Sequence, residues 1–199
     1  MDSWDSKWEE VFKSQEWGKY PPEELIRFIA RNYYKTPLRK NIRILDLGCG
    51  TGAASWFIAR EGFSVYGIDG SKTAIDIVKE RFDNENLIGE FKVGDFIKIE
   101  YPSNFFDCVV DISSLQHNNI GNLKIILSEI HRVLKPNGKL FSMMISKKSR
   151  FDKCNRFTHL FKKEEIKSLF CNFNDLCIES SKRTDRGNMF YHYITEVKK

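Results

Sequence analysis

The sequence predicts an α/β fold in which a doubly wound, mostly parallel sheet carries helices on both faces. Short apolar segments that suit buried strands alternate along the chain with amphipathic segments that suit helices. Residues 42–47 form one such apolar segment, which leads into three glycines at alternate positions and a helix-like segment at residues 53–60. Because 199 residues is the usual size of one domain, we expect residues 1–199 to form a single domain.

Two helices are predicted ahead of the first strand. Residues 4–16 and residues 23–34 place apolar side chains at helical spacing. Gly18, Pro21 and Pro22 lie between these segments and break the helical pattern. We therefore expect a helical segment at residues 1–36 that precedes a core at residues 42–199.

The remaining elements continue the alternation. Strands are predicted at residues 63–69, 87–93, 105–111, 140–145, 175–180 and 189–197. Helices are predicted at residues 72–82, 120–134 and 163–170. Residues 184–188 carry a hairpin signal. The polar and basic residues 147–158 lack a periodic pattern, so we expect them to form a loop over the mouth of a site.

The glycine-rich segment after the first strand predicts a cofactor site. Gly48, Gly50 and Gly52 give the chain backbone angles that other residues avoid, and they let a ligand lie against bare main chain. Amide groups at the start of the next helix would favour a negatively charged group. Gly48, Gly50 and Ala53 also fit the G-x-G-x-x-G/A pattern of dinucleotide sites, so the glycines alone leave the kind of cofactor open.

Two acidic residues at strand ends narrow the choice of cofactor. Asp46 lies two residues before Gly48, where a carboxylate would repel a pyrophosphate and would suit an ammonium group. Asp69 ends the second predicted strand 19 residues after Gly50, the spacing at which a carboxylate binds ribose hydroxyls. Gly70 allows the turn that follows. Asp69 therefore predicts an adenosine-type ligand, and Asp46 favours one that carries an ammonium group.

Three segments resemble motifs of the class I S-adenosylmethionine-dependent methyltransferases. Residues 45–52, Leu-Asp-Leu-Gly-Cys-Gly-Thr-Gly, resemble the first motif of that family. Residues 134–140 are similar to its Leu-Lys-Pro-Gly-Gly turn, with Asn137 in place of the first glycine. Residues 115–117 are similar to its Leu-His-His segment, with Gln116 in place of the first histidine. The resemblance runs from about residue 42 to the C-terminus and implies a Rossmann-like sheet that closes with an antiparallel strand.

The resemblance also implies a set of cofactor-binding residues. S-adenosylmethionine would be the cofactor and S-adenosylhomocysteine the product. The implied contacts are with the methionine ammonium, the ribose, the adenine and the sulfonium. The residues are Asp46, Gly48, Gly50, Asp69, Gly70, Asp95 and Phe96, with Trp17 and Tyr20 from a helical lid at residues 1–36. For Trp17 and Tyr20 a second role stays open, in which they anchor the helix pair on the core.

Two residues are candidates for catalysis. His117 follows the fourth strand, where the family keeps its substrate-facing residues, and histidine titrates near neutral pH, so it is a candidate general base. A structural histidine that packs against the cofactor or a loop is the alternative. Asp111 has three open roles: contact with the methionine part, orientation of a nucleophile, or capping of the next segment. Because the methyl group is already activated, no metal is expected.

The acceptor is expected to be a small molecule, because no further recognition domain is visible in the sequence. The net charge of +5 is uneven: residues 1–120 carry −4 and residues 121–199 carry +9. A basic second half can attract an anionic acceptor, such as a sugar or nucleotide-sugar, and an O-, N- or S-nucleophile is open. An RNA methyltransferase and a non-catalytic S-adenosylmethionine-binding protein are the alternatives. A nicotinamide oxidoreductase is disfavoured by Asp46 and by the turn at residues 134–140.

Composition also bears on the compartment. The five cysteines are scattered and odd in number, so we expect reduced thiols and no metal site. No apolar segment is long enough to span a membrane, and the acidic N-terminus does not resemble a secretion signal, so a cytoplasmic protein is expected. The oligomeric state does not follow from the sequence.

Overall fold

The computed structural model describes residues 4–150, 158–185 and 187–199. Seven strands form one sheet. They are β1 (Arg43–Leu47), β2 (Ser64–Asp69), β3 (Gly89–Val93), β4 (Phe106–Ile112), β5 (Leu134–Ile145), β6 (Asn174–Asp185) and β7 (Asn188–Lys198). Their order is β3-β2-β1-β4-β5-β7-β6. β1 to β5 pair in parallel, whereas β7 runs antiparallel to both β5 and β6.

Helices cover both faces of this sheet. They are α1 (Lys7–Ser14), α2 (Glu23–Tyr33), α3 (Ala53–Arg60), α4 (Lys72–Asn84), α5 (Ile120–Val133) and α6 (Lys163–Leu169). The apolar sides of α2, α3 and α4 pack into one buried cluster, and those of α5 and α6 pack into another. The predicted fold class, a mostly parallel doubly wound sheet with a C-terminal antiparallel strand, is therefore confirmed.

The central strand β1 shows why this sequence builds two cores. Side chains of a strand alternate between the faces of a sheet. Ile44 accordingly packs with α2, α3 and α4, whereas Leu45 packs with α5 and α6. Both side chains are fully buried. A strand that is apolar on both faces is stable only when both are covered, so the Ile- and Leu-rich segment fixes β1 in the middle of the sheet.

Several element boundaries differ from those predicted. α1 is shorter than residues 4–16, and β6 and β7 are longer than residues 175–180 and 189–197 because cross-strand pairing extends to their hairpin. β5 already begins at Leu134, since the predicted turn pairs with β4 through a register shift. Asn137 in that turn has φ +65°, the left-handed angle that Asn tolerates well.

Part of the predicted loop at residues 147–158, and Arg186 of the predicted hairpin, lie outside the described residues. Four cysteines lie within them, and each is a free thiol: Cys49 and Cys108 are buried, and Cys171 and Cys177 are exposed. Where the structure describes the chain, none of the helices combines the length and apolar character that crossing a bilayer requires.

Candidate functional site

A cavity of about 640 Å³ opens at the carboxyl ends of the parallel strands. The order of the sheet places β1 and β4 side by side although β2 and β3 intervene in the sequence. Such a reversal of strand order leaves a crevice beyond the strand ends, which is where open α/β sheets bind ligands. The glycine loop after β1, the ends of β4 and β5, α1 and the β6–β7 hairpin all contribute walls to the cavity.

The glycine loop forms the floor of the cavity. Gly48, Gly50 and Gly52 all have positive φ, at +73°, +50° and +84°. A Cβ at Gly48 would lie 2.1 Å from Ser114 Oγ, which donates a hydrogen bond to the Gly48 carbonyl. Glycine is therefore required here both for its backbone angle and because the neighbouring segment approaches so closely. Gly48 and Gly50 line the cavity.

Asp46 lies on the cavity wall directly ahead of this loop. Its side chain is 2% exposed. Asp46 Oδ2 accepts hydrogen bonds from Ser55 N at 2.9 Å and from Ser55 Oγ at 2.6 Å. Burial raises the pKa of Asp46 to about 7, although the hydrogen bonds from Ser55 lower it. Asp46 thus joins β1 to the first turn of α3 and presents a carboxyl group that titrates near neutral pH.

Asp69 holds the other side of the glycine loop. Asp69 Oδ2 accepts a hydrogen bond from Gly50 N, and Oδ1 accepts one from Ser71 N, both at 2.9 Å. Burial raises the pKa of this carboxyl group, and the two hydrogen bonds lower it. Asp69 lines the cavity. Each of its oxygens keeps a lone pair beyond those bonds, so the carboxylate can still accept from a ligand.

Gly70, the next residue, does not reach the cavity wall. A Cβ at Gly70 would lie 2.0 Å from Trp4 Cδ1, so the missing side chain makes room for an indole ring. The predicted ribose-side role of Gly70 is therefore indirect, because Trp4 covers it. Asp95 and Phe96, after β3, do line the cavity, and Asp95 Oδ1 accepts a hydrogen bond from Ile97 N at 3.2 Å.

Aromatic side chains from the N-terminal helices form the roof. Trp8 and Phe12 project from α1, and Trp17 follows it. The Trp17 ring lies 6.0 Å from that of Trp8 and 5.6 Å from that of Phe12. Tyr20 lies against Trp56 at 5.5 Å and is 73% exposed, whereas Trp17 is 40% exposed. Trp17 thus belongs to the aromatic cluster over the cavity, and Tyr20 lies at its rim.

Glu9 fastens α1 over the cavity, a contact that the sequence did not predict. Glu9 Oε2 accepts a hydrogen bond from Ser71 Oγ, and Oε1 accepts one from Thr73 Oγ1, both at 2.6 Å. These bonds lower the pKa of Glu9. Because Ser71 and Thr73 lie at the N-terminus of α4, the carboxylate also faces the positive end of that helix.

The two candidate catalytic residues occupy different surroundings. His117 lines the cavity, with its ring 4.7 Å from that of Trp8 and its Nδ1 3.3 Å from Thr158 Oγ1. Asp111 is 0% exposed and is absent from the cavity wall among the described residues. Its Oδ1 accepts from Ser114 N and Leu115 N, and burial raises its pKa to about 6. Of the three open roles of Asp111, these contacts match capping, because its acceptor oxygens already serve the chain.

Residues of the C-terminal hairpin complete the cavity wall. Arg183 on β6 and Phe190 and His192 on β7 line it. Sequence reasoning gave His192 no role, because it lies in an ordinary alternating strand and nothing local marks it. Its position comes from long-range pairing: His192 is the antiparallel partner of Ile145 at the carboxyl end of β5. Within the described part of the chain, His, Cys, Asp and Glu side chains form no metal-binding group of three or more.

Comparisons with known proteins agree with this geometry. The family model described as a methyltransferase domain matches residues 44–138. Sterol 4-C-methyltransferase strm-1 of Caenorhabditis elegans is 33% identical over 124 residues, which are 61% of this chain and 36% of that protein. The ubiquinone biosynthesis O-methyltransferase of Pelagibacter ubique is 31% identical over 151 residues, which are 67% of this chain and 61% of that protein. The chain thus spans about a third and three fifths of these relatives.

A solved structure shows the same fold. A SAM-dependent methyltransferase of Methanosarcina mazei has a TM-score of 0.74 and 23% identity, with 86% of this chain and 96% of that chain covered. At this identity the likeness bears on the fold alone. It extends beyond residues 44–138, so the sheet and its helices correspond over most of the chain.

Proposed function

We propose that the chain is a class I S-adenosylmethionine-dependent methyltransferase, which transfers a methyl group from S-adenosylmethionine to a small-molecule acceptor and releases S-adenosylhomocysteine. The observation that carries the proposal is one cavity whose wall combines the glycine loop with Asp46, Asp69 and Asp95. The whole cofactor-binding set predicted from the motifs, apart from Gly70, lies on this wall.

The residues present fit the proposed cofactor. Asp46 would pair with the methionine ammonium, and that cation would hold its carboxyl group ionised despite burial. Asp69 would accept from the ribose hydroxyls, and Asp95 with Phe96 would bind the adenine. A side chain at Gly48 would clash with Ser114 and so displace the segment that supports the glycine loop. When bound, S-adenosylmethionine supplies a methyl group that is activated by its positively charged sulfur.

The protein's own part in the reaction is alignment, water exclusion and proton removal. Trp8, Phe12 and Trp17 cover the cavity with aromatic faces, which attract cations and exclude water. His117 is the proposed general base, and Thr158 fixes the orientation of its ring through the contact with Nδ1. A hydroxyl nucleophile needs such a base more than a thiol or an amine does.

The acceptor is left open by the relatives, since one is named for carbon methylation and the other for oxygen methylation. The proposal therefore covers an O-, N- or S-nucleophile. An anionic acceptor, such as a sugar or nucleotide-sugar, is favoured by the basic second half of the chain, with +9 over residues 121–199.

Calorimetric titration with S-adenosylmethionine, S-adenosylhomocysteine and NAD tests the cofactor class. We expect saturable binding of the two sulfur compounds and none of NAD. Asp69→Ala should weaken that binding, whereas Asp76→Ala on the exposed side of α4 should not. Binding of NAD alone would contradict the proposal. Binding of S-adenosylmethionine without S-adenosylhomocysteine formation across a broad acceptor panel would instead indicate a non-catalytic binding protein.

A further inference from the structure

The charges on the cavity wall are divided between its two sides. Carboxylates line the side near α1 and the ends of β1, β2 and β3, at Asp5, Asp46, Asp69 and Asp95. Among the described lining residues Arg183 is the single lysine or arginine, and it lies on β6. An anion that enters this cavity therefore meets repulsion on one side and attraction on the other.

The side of the cavity that carries Arg183 is too far from β2 to contact the adenosine part of the proposed cofactor. β7 lies four strand positions from β2 in the sheet, and β6 lies five. At ~4.8 Å per strand the separation between β2 and β7 is about 19 Å. Asp69, at the end of β2, marks the proposed ribose position. Arg183 and the hairpin residues beside it therefore lie on the side of the cavity away from the proposed ribose position.

The guanidinium of Arg183 is not paired with a carboxylate among the described residues. It lies 5.9 Å from the centre of the Phe190 ring, its partner across the hairpin. A guanidinium presents a planar pair of donors that matches a carboxylate or a phosphate, and it keeps its charge at all ordinary pH values.

His192 lies near Arg183 and lines the same cavity. The side chain is 8% exposed, and its buried Nδ1 has no hydrogen-bond partner among the described residues. Its ring lies 6.4 Å from that of Phe190, nearly parallel to it. Burial and the charge of Arg183 lower the pKa of His192, and the carboxylate of Glu24 raises it. A neutral histidine can form a hydrogen bond with the methyl acceptor without adding charge to the cavity wall.

We propose that the methyl acceptor carries a carboxylate or phosphate group that Arg183 binds, with an apolar or ring part packed against Phe190. The inference rests on the proposed function and names the substrate class of its site. The apolar contact is supplied by Phe190 together with Met143 and Ile145, which line the same side of the cavity. Arg183 is thereby a specificity-determining residue, remote from the methyl group.

The test compares Arg183→Gln with Lys182→Gln, its neighbour. Both changes remove one positive charge from β6, but Lys182 is not among the residues lining the cavity. The probes are benzoate, phenyl phosphate and uncharged benzamide, titrated by calorimetry or ligand-detected NMR with and without S-adenosylhomocysteine. We expect at least one anionic probe to bind about 10-fold more tightly than benzamide to the wild type and to Lys182→Gln, and this preference to disappear in Arg183→Gln.

Tighter binding of benzoate would indicate an acceptor with a carboxylate, and tighter binding of phenyl phosphate would indicate one with a phosphate. Equal binding of all three probes to the wild type would overturn the inference, as would an equal loss in both variants. The proposed function is judged separately, by S-adenosylhomocysteine binding, which both variants should retain. If S-adenosylhomocysteine does not bind, the proposed function fails, and the titration without it still decides whether Arg183 binds an anion.

Discussion

At the scale of single residues, Asp46 serves the fold and the proposed cofactor with one carboxyl group. The same burial that lets Asp46 hold Ser55 raises its pKa to about 7. An ammonium group next to Asp46 favours the ionised form, so cofactor binding and deprotonation are linked. Protons should therefore be released when the cofactor binds near neutral pH.

We expect the affinity for S-adenosylmethionine to fall about 10-fold from pH 8 to pH 6, because only about a tenth of Asp46 is ionised one unit below its pKa. Calorimetry in buffers of different ionisation enthalpy measures both the affinity and the proton release. Asp46→Asn should bind more weakly and show a flatter pH profile. A wild-type affinity that is independent of pH would contradict the pairing of Asp46 with the methionine ammonium.

His117→Ala should leave S-adenosylmethionine binding intact and reduce turnover by about 10²- to 10⁴-fold, since it removes the proposed base from the cavity. His131→Ala is a matched control, because His131 on α5 does not line the cavity. Binding is followed by calorimetry and turnover by S-adenosylhomocysteine release. Unchanged turnover of His117→Ala with the true acceptor would remove this histidine from the mechanism.

Cavity-lining residues that belong to local motifs were predictable from sequence, and cavity-lining residues brought in by tertiary pairing were not. Asp46 and Asp69 sit at fixed distances from the glycines, so the motif alone placed them. His192 and Arg183 reach the cavity only because β7 pairs with β5 and β6 with β7. Glu9 reaches α4 from 62 residues away in the chain. No local pattern marks such contacts.

At the scale of elements, α1 depends on its contacts with the rest of the molecule. A helix of eight residues is marginal by itself. Phe12 is its single buried side chain. The hydrogen bonds that Glu9 accepts from Ser71 and Thr73 therefore contribute much of the stability of α1 on the core. They also hold the aromatic residues of α1 over the cavity. The sequence predicted the helix and its apolar stripe, but it did not show which partner holds it.

Glu9→Ala should release α1 without unfolding the core. Because hydrogen bonds to a charged group contribute about 1.5–3 kcal/mol, the amides of α1 should exchange about 10-fold faster or more, measured by hydrogen–deuterium exchange. The melting temperature should change little, and S-adenosylmethionine should bind more weakly. Glu10→Ala is the matched control, since Glu10 contacts Lys13 at the surface. Equal effects of the two substitutions would show that Glu9 has no special role.

At the scale of the whole molecule, the carboxyl groups at the ends of the parallel strands lower the stability of the fold. Asp46, Asp69 and Asp111 are buried at the ends of three neighbouring strands, and burial raises the pKa of each. A carboxyl group whose pKa is higher in the folded state destabilises the fold as it ionises. The fold class itself was readable from the alternation of segments, since that pattern depends on periodicity. The effect of these carboxyl groups on stability could not be predicted from sequence, because it depends on how deeply each group is buried.

Asp111→Asn should reveal this cost. The folded-state pKa of about 6 lies above the ordinary value of 3.8, so the contribution of Asp111 to stability is complete below pH 4 and is lost as the pH rises to 6. Relative to the wild type, the variant should gain about 2 kcal/mol in free energy of unfolding between pH 4 and pH 7. Urea unfolding at both pH values measures the difference. A difference that does not vary with pH would refute the prediction.

The antiparallel hairpin of β6 and β7 gives the molecule a modular construction. Its residues lie outside residues 44–138, the stretch matched by the methyltransferase family model, and they join the sheet along one edge of β5. Changes in the hairpin can therefore alter the proposed acceptor side of the cavity while the glycine loop and its carboxylates stay in place. For protein engineering, this makes positions 183, 190 and 192 the natural sites for a library aimed at new acceptors with an unchanged methyl donor.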